Sequence, residues 1–202
     1  MTDIPTPFEF PKIHSFPPLY TKQPNTTILS HQLEAWTTII LEYCQHYRIT
    51  RISKDGIAKH SQISQLDLNS LPSIFSNTAI NRTVNSEFKT LIINSLIHKL
   101  HSGEYVNSKK PELGIFVYWK KLEDWGSLLY QYVDDSGQLG TVLTVYELTK
   151  SDEDGGSSGL PQDLRGLDET FLIKIIKDYL MKLGKAQILM NENNEIGGVK
   201  IV

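Results

Sequence analysis

Leu122-Glu123-Asp124-Trp125-Gly126-Ser127-Leu128-Leu129-Tyr130-Gln131-Tyr132 places its apolar residues three and four apart, the spacing of one helix face. An earlier stretch repeats the pattern: Leu33 matches Leu122, Trp36 matches Trp125, Ile39-Ile40 match Leu128-Leu129, and Tyr43 matches Tyr132. Further along, Phe88 matches Phe171, and Lys99-Leu100 match Lys182-Leu183. The spacing between copies shrinks along the way, so the second copy is shorter in its middle. Matched elements in one order describe an internal repeat.

Working outward, the first copy reads as a helix over 29–47 and a short strand at Ile49 and Ile52. A polar loop over 54–73 stops at Pro72, and a short helix starts at Ile74-Phe75. A longer helix covers 84–101, closed by Gly103, and two strands lie near 105–106 and 115–119. The second copy reads as a helix over 122–136 stopped by Gly137, a strand over 142–148, a helix over 168–183 capped by Gly184, and a terminal hairpin of 188–190 with 199–202. Helix, strand, helical segment, helix and two-stranded wing is the winged-helix order. The predicted fold class is therefore α+β: two tandem winged-helix domains, over 27–120 and 121–202, behind an arm over 1–26.

That arm carries Pro5, Pro7, Pro11, Pro17, Pro18 and Pro24 among Phe8, Phe10, Phe16, Leu19 and Tyr20. Proline fixes φ and removes donors, so an extended, polyproline-like docking arm is predicted. Its Phe16-Pro17-Pro18-Leu19-Tyr20 contains P-P-x-Y, a pre-ordered backbone with an aromatic anchor. Three readings stand open: a ligand for a WW domain, an arm folded onto its own domain, or an anchor for another subunit.

The bulk numbers exclude several classes. The chain has 202 residues, 40% hydrophobic and 21% charged, with a formal net charge of −3. That is globular composition without the basic surplus of most nucleic-acid binders. One cysteine, Cys44, allows neither a disulfide nor a cysteine zinc cage. No apolar run reaches the ~20 residues of a membrane span, and the first residues lack a secretory pattern, so a cytoplasmic chain is predicted. Gly155-Gly156-Ser157-Ser158-Gly159 spells G-x-S-x-G, but in an acidic low-complexity loop and not between a strand and a helix. Asp152 and Asp154 open like a calcium loop that Ser157 and Asp163 fail to complete. His98 and His101 lack a third ligand at a recognisable distance. No enzyme activity, metal or cofactor is therefore predicted. A nucleic-acid-binding winged helix is the alternative. Against it, the last helix is mixed in sign (Asp168, Glu169, Lys174, Lys177, Asp178, Lys182) and the wing holds Glu192 and Glu195.

Several strings resemble the vacuolar protein-sorting-associated protein 25 family, in its fungal form. They are Phe8-Glu9-Phe10-Pro11, Phe16-Pro17-Pro18-Leu19-Tyr20-Thr21, Gln23-Pro24-Asn25, Gln32, Ala35-Trp36 and Ile80-Asn81-Arg82. In the second copy they are Trp125, Tyr130-Gln131-Tyr132, Ser136-Gly137, Val145-Tyr146-Glu147-Leu148 and Gly166-Leu167-Asp168-Glu169. The resemblance implies two winged helices in a non-enzymatic subunit of the endosomal ESCRT-II complex, two copies per complex. It implies that Phe16, Pro17, Pro18, Leu19, Tyr20 and Arg82 bind the complex's other two subunits. It also implies that the second domain recruits an ESCRT-III subunit, so that ubiquitinated cargo is sorted into multivesicular bodies. The chain would be recruited peripherally to the endosome, with membrane contact indirect. Some fungal members carry a second P-P-x-Y nearer the start, where this chain has Pro5-Thr6-Pro7-Phe8.

Overall fold

A computed structural model describes residues 4–150 and 159–202. The chain divides between Trp119 and Lys120 into two compact units.

In the first unit, helix α1 spans Thr26–His46. Asn25 caps it, its side-chain oxygen accepting from the main-chain N–H groups of Thr27 and Ile28, which would otherwise be orphaned. The stripe read from the sequence faces inward: Trp36, Ile40 and Cys44 are fully buried. Strand β1 (Ile49–Ile52) pairs antiparallel with β2 (Ala58–Ser61) and with β6 (Ile115–Val117), which in turn pairs with β5 (Gly103–Tyr105). Between them lie the short ribbon β3 (Ser76–Asn77) with β4 (Arg82–Thr83), and α2 (Ser86–Asn94), capped by Asn85.

The second unit repeats the plan. Helix α3 spans Leu122–Asp135 and buries Trp125, Leu129 and Val133. Glu123 and Asp124 sit in its first turn, where the helix dipole favours negative charge. Strand β7 (Val142–Leu143), helix α4 (Glu169–Ile175, capped by Asp168) and the hairpin β8 (Ala186–Met190) with β9 (Ile196–Ile201) complete it. The winged-helix sheet order is the same in both units, the last strand lying between the other two: β1-β6-β5 and β7-β9-β8. Both copies also run their last helix into a π-helical turn, Ser95–Lys99 after α2 and Ile176–Leu180 after α4. Trp125 meets Phe171 edge-on at 4.9 Å, so two matched residues of the repeat form part of the second core.

The structure corrects several local expectations. The polar stretch read as a loop contains β2, whose sequence Ala-Lys-His-Ser carries too little apolar patterning to announce a strand. Ile74-Phe75 lead into β3, and the helical turn comes later, over Thr78–Ile80. Gly103 lies inside β5, and the left-handed residue that ends the preceding helix is His101. A side chain at 103 would stand 2.9 Å from the Phe116 carbonyl oxygen, which is why glycine occupies the strand. The strand expected over 142–148 ends at Leu143. From there a reciprocal cap takes over: the Thr144 N–H and hydroxyl both donate to Glu147 Oε2, and the Glu147 N–H donates to Thr144 Oγ1. The G-x-S-x-G serine and the acidic residues Asp152 to Asp154 lie outside the described residues.

Candidate functional site

The arm is neither extended nor free. Lys12–Ser15 and Pro17–Tyr20 form two successive 3-10 turns. The φ that proline imposes suits both polyproline and 3-10 geometry; ψ separates them. Here burial decides ψ. Turning the chain drives Leu19 and Tyr20 into the first unit's core, where they are 2% and 3% exposed.

Polar bonds fasten the turns to α1 and β3. The Trp36 indole donates to the Leu19 carbonyl at 3.0 Å, and Gln32 Nε2 donates to the Pro18 and Thr21 carbonyls, each at 2.9 Å. Tyr20 Oη and Asn77 Nδ2 both donate to the His14 carbonyl, at 2.7 and 3.1 Å. His14 Nε2 donates to the Ile74 carbonyl at 2.8 Å, since a carbonyl can only accept. Burial pushes the Tyr20 hydroxyl up to about 12, against a smaller opposing effect of the Asn77 side chain, so it stays a donor at neutral pH. Further back, Phe8 N–H donates to the Tyr47 hydroxyl and the His46 ring bonds the Thr6 carbonyl. The arm therefore lies antiparallel along α1.

Turning two residues inward leaves the others outside. Phe16 is 56% exposed, and Pro17 and Pro18 are exposed. Phe16 and Pro18 border an open apolar groove of about 320 Å³, shared with Ile13, Ile28 and His31. Ile13 and Ile28 are themselves exposed. Arg82 is exposed on β4, which packs beside the Pro17–Tyr20 turn. It pairs in register with Asn77, the residue that bonds His14. Within the chain its guanidinium Nη1 bonds the carbonyl of its neighbour Asn81 at 3.1 Å. The structure thus sets the strand that carries Arg82 beside the turn whose Pro17 and Pro18 are exposed and whose Leu19 and Tyr20 are buried. With its tyrosine buried and bonded, the P-P-x-Y segment is not presented as a WW ligand needs it.

Gln32 was picked out in the sequence only as part of the family resemblance, not for what it bonds. His14, Asn77 and Ile74 carried no sequence signal for these bonds, which join positions sixty or more residues apart through main-chain carbonyls.

In the second unit, Lys174 on α4 pairs with Asp178 in the π-helical turn that follows, and Glu195 closes the wing turn by bonding Asn191. Positive charge on that helix is in part neutralised internally and the wing is acidic, an arrangement opposed to phosphate binding. Among the described residues, no group of three or more His, Cys, Asp or Glu is placed to hold a metal, and no helix is long and apolar enough to cross a membrane.

Comparison with known proteins fixes the family. The family described as ESCRT-II complex subunit matches residues 13–162. Vacuolar protein-sorting-associated protein 25 of Saccharomyces cerevisiae is 30% identical over 95% of this chain and 98% of its own length. This chain belongs to the vacuolar protein-sorting-associated protein 25 family. The human relative of the same name is 30% identical over 90% of the chain and 92% of its own length. Among solved structures, subunit VPS25 of the endosomal trafficking complex ESCRT-II superposes with a TM-score of 0.76 at 30% identity, over 96% of this chain and 98% of that one. A chain of the endosomal complex ESCRT-II (VPS22/VPS25/VPS36) superposes with a TM-score of 0.75 at 29% identity, over 96% and 98%. The likeness spans both winged helices and the arm.

Proposed function

We propose that this family member is the arm subunit of an ESCRT-II complex and works by binding alone, without chemistry. Its first unit docks on the complex's other two subunits through Phe16, Pro17, Pro18 and Arg82, with Leu19 and Tyr20 supporting that surface from within. Two copies of the chain join each complex. The second unit receives an ESCRT-III subunit, and so links ESCRT-II to the machinery that sorts ubiquitinated cargo into multivesicular bodies. The chain works from the cytoplasm, brought to the endosome peripherally, with lipid contact made by the other subunits.

The observation that carries this reading is the exposed apolar pair Phe16 and Pro18, on a turn locked to the domain and packed beside the strand that carries Arg82. A pre-organised pair loses little entropy when it docks. An arginine on that strand can form a two-pronged bond to a partner carboxylate, the geometry of a binding hot spot. The second unit must bind the open form of its ESCRT-III partner more tightly than the closed form, or it shifts nothing.

Co-purification tests the reading. The full chain mixed with the other two ESCRT-II subunits is expected to elute as one complex, which then retains an ESCRT-III subunit. A correctly folded chain that elutes alone contradicts it.

A further inference from the structure

We propose that His14 makes the docking of the arm sensitive to pH: the turns over 12–20 stay locked to the first unit while the imidazole is neutral, and mild acidification loosens them. The consequence for partner binding rests on the docking role proposed above; the latch itself does not.

The geometry puts one titratable ring at the junction of the arm, α1 and β3. His14 is 3% exposed. From the arm, Phe10 stacks on it at 4.0 Å and 15°, and Tyr20 meets it edge-on at 5.7 Å. From α1, Trp36 meets it edge-on at 5.9 Å. From the β3 side, Ile74 accepts its Nε2–H, and Asn77 binds its carbonyl. The charged or titratable groups around it are few. Tyr20 is held neutral by burial, Tyr43 behind Phe10 is likewise pushed up by burial, and Lys12, on the same turn, is exposed. No carboxylate among the described residues acts on the ring; burial dominates, and the Ile74 carbonyl opposes it.

The bond to Ile74 survives protonation, because Nε2 donates in both states. What changes is that a cation must sit among apolar rings without a counter-charge. Burial accordingly holds the imidazole below its ordinary value of 6.5. For a base held low in the folded state, stabilisation is complete above 6.5 and is lost as pH falls from there through the folded-state value. Proton linkage limits the effect at pH 5.5 to about a tenfold shift from docked toward undocked arm. His46, the last residue of α1, is partly exposed, and its ring bonds the Thr6 carbonyl.

The test uses the full chain. Titration of the His14 ring protons by NMR is expected to give a midpoint below 6.5; a midpoint at or above it overturns the proposal. Hydrogen exchange over 12–20, corrected for intrinsic rates, is expected to quicken up to about tenfold between pH 7.5 and 5.5 in wild type. It should stay flat in His14→Gln, whose amide can still donate to Ile74 but cannot titrate. Equal quickening in both proteins, or none in wild type, overturns the latch. Capture of the other ESCRT-II subunits at both pH values separates the two readings. An arm that loosens while capture holds supports the latch and counts against the docking role.

Discussion

The indole N–H of Trp36 donates to the Leu19 carbonyl at 3.0 Å, and both residues are buried. This bond joins the first tryptophan of the repeat to the turn over Pro17–Tyr20. Trp36→Phe keeps an aromatic ring but leaves the carbonyl without that donor. The expected loss is about 2 kcal/mol, from the lost hydrogen bond and the lost volume, with only the longer bond from Gln32 Nε2, at 3.5 Å, left on that carbonyl. Urea unfolding would read it, and hydrogen exchange should rise first over 16–21.

Gly126 on α3 faces the Tyr179 ring so closely that a Cβ there would lie 2.1 Å from Tyr179 Cδ1. Alanine normally gains about 1 kcal/mol over glycine inside a helix. Here overpacking, at about 1–3 kcal/mol, outweighs that gain. Gly126→Ala should therefore destabilise the second unit. In a Tyr179→Ala background the sign should reverse, because the obstructing ring is gone. Thermal denaturation of the four proteins of that cycle checks both signs.

The cap between Thr144 and Glu147 gives a pH prediction. Two hydrogen bonds from Thr144 hold the Glu147 carboxyl below its ordinary value of 4.5, with a lesser contribution from Lys150. A depressed carboxyl stabilises the fold above 4.5, and the contribution is lost as pH falls through the folded-state value. Thr144→Ala should cost about 1 kcal/mol at neutral pH. It should also return the Glu147 titration toward 4.5, measurable by carboxyl carbon NMR.

Much of this fold was legible in the chain because helices announce themselves locally. The Leu33–Tyr43 and Leu122–Tyr132 stripes located α1 and α3, and the terminal hairpin fell near 188–190 and 199–202 as expected, whereas the first wing opens at Gly103 and not at Tyr105. The failures have a common cause. The arm's prolines permit both an extended and a turned backbone, and only the distant partners Gln32, Trp36 and Asn77 choose between them. Strand β2 is polar, and its pairing with β1 is long-range information. The alternation over 142–148 looked like a strand until the side chain of Glu147 reached back to Thr144. Of the candidate site, the sequence named residues but not their placement: Leu19 and Tyr20 are buried in the first core, while Phe16, Pro17 and Pro18 are exposed.

The central claim is that Phe16 and Arg82 form a partner surface. Both are exposed, so Phe16→Ala and Arg82→Ala should leave the fold intact by circular dichroism. Calorimetric titration of the full chain into the assembled pair of other ESCRT-II subunits measures their worth. The account predicts that each variant loses tenfold or more in affinity, about 1.4 kcal/mol or greater. Wild-type affinity in both variants would contradict it.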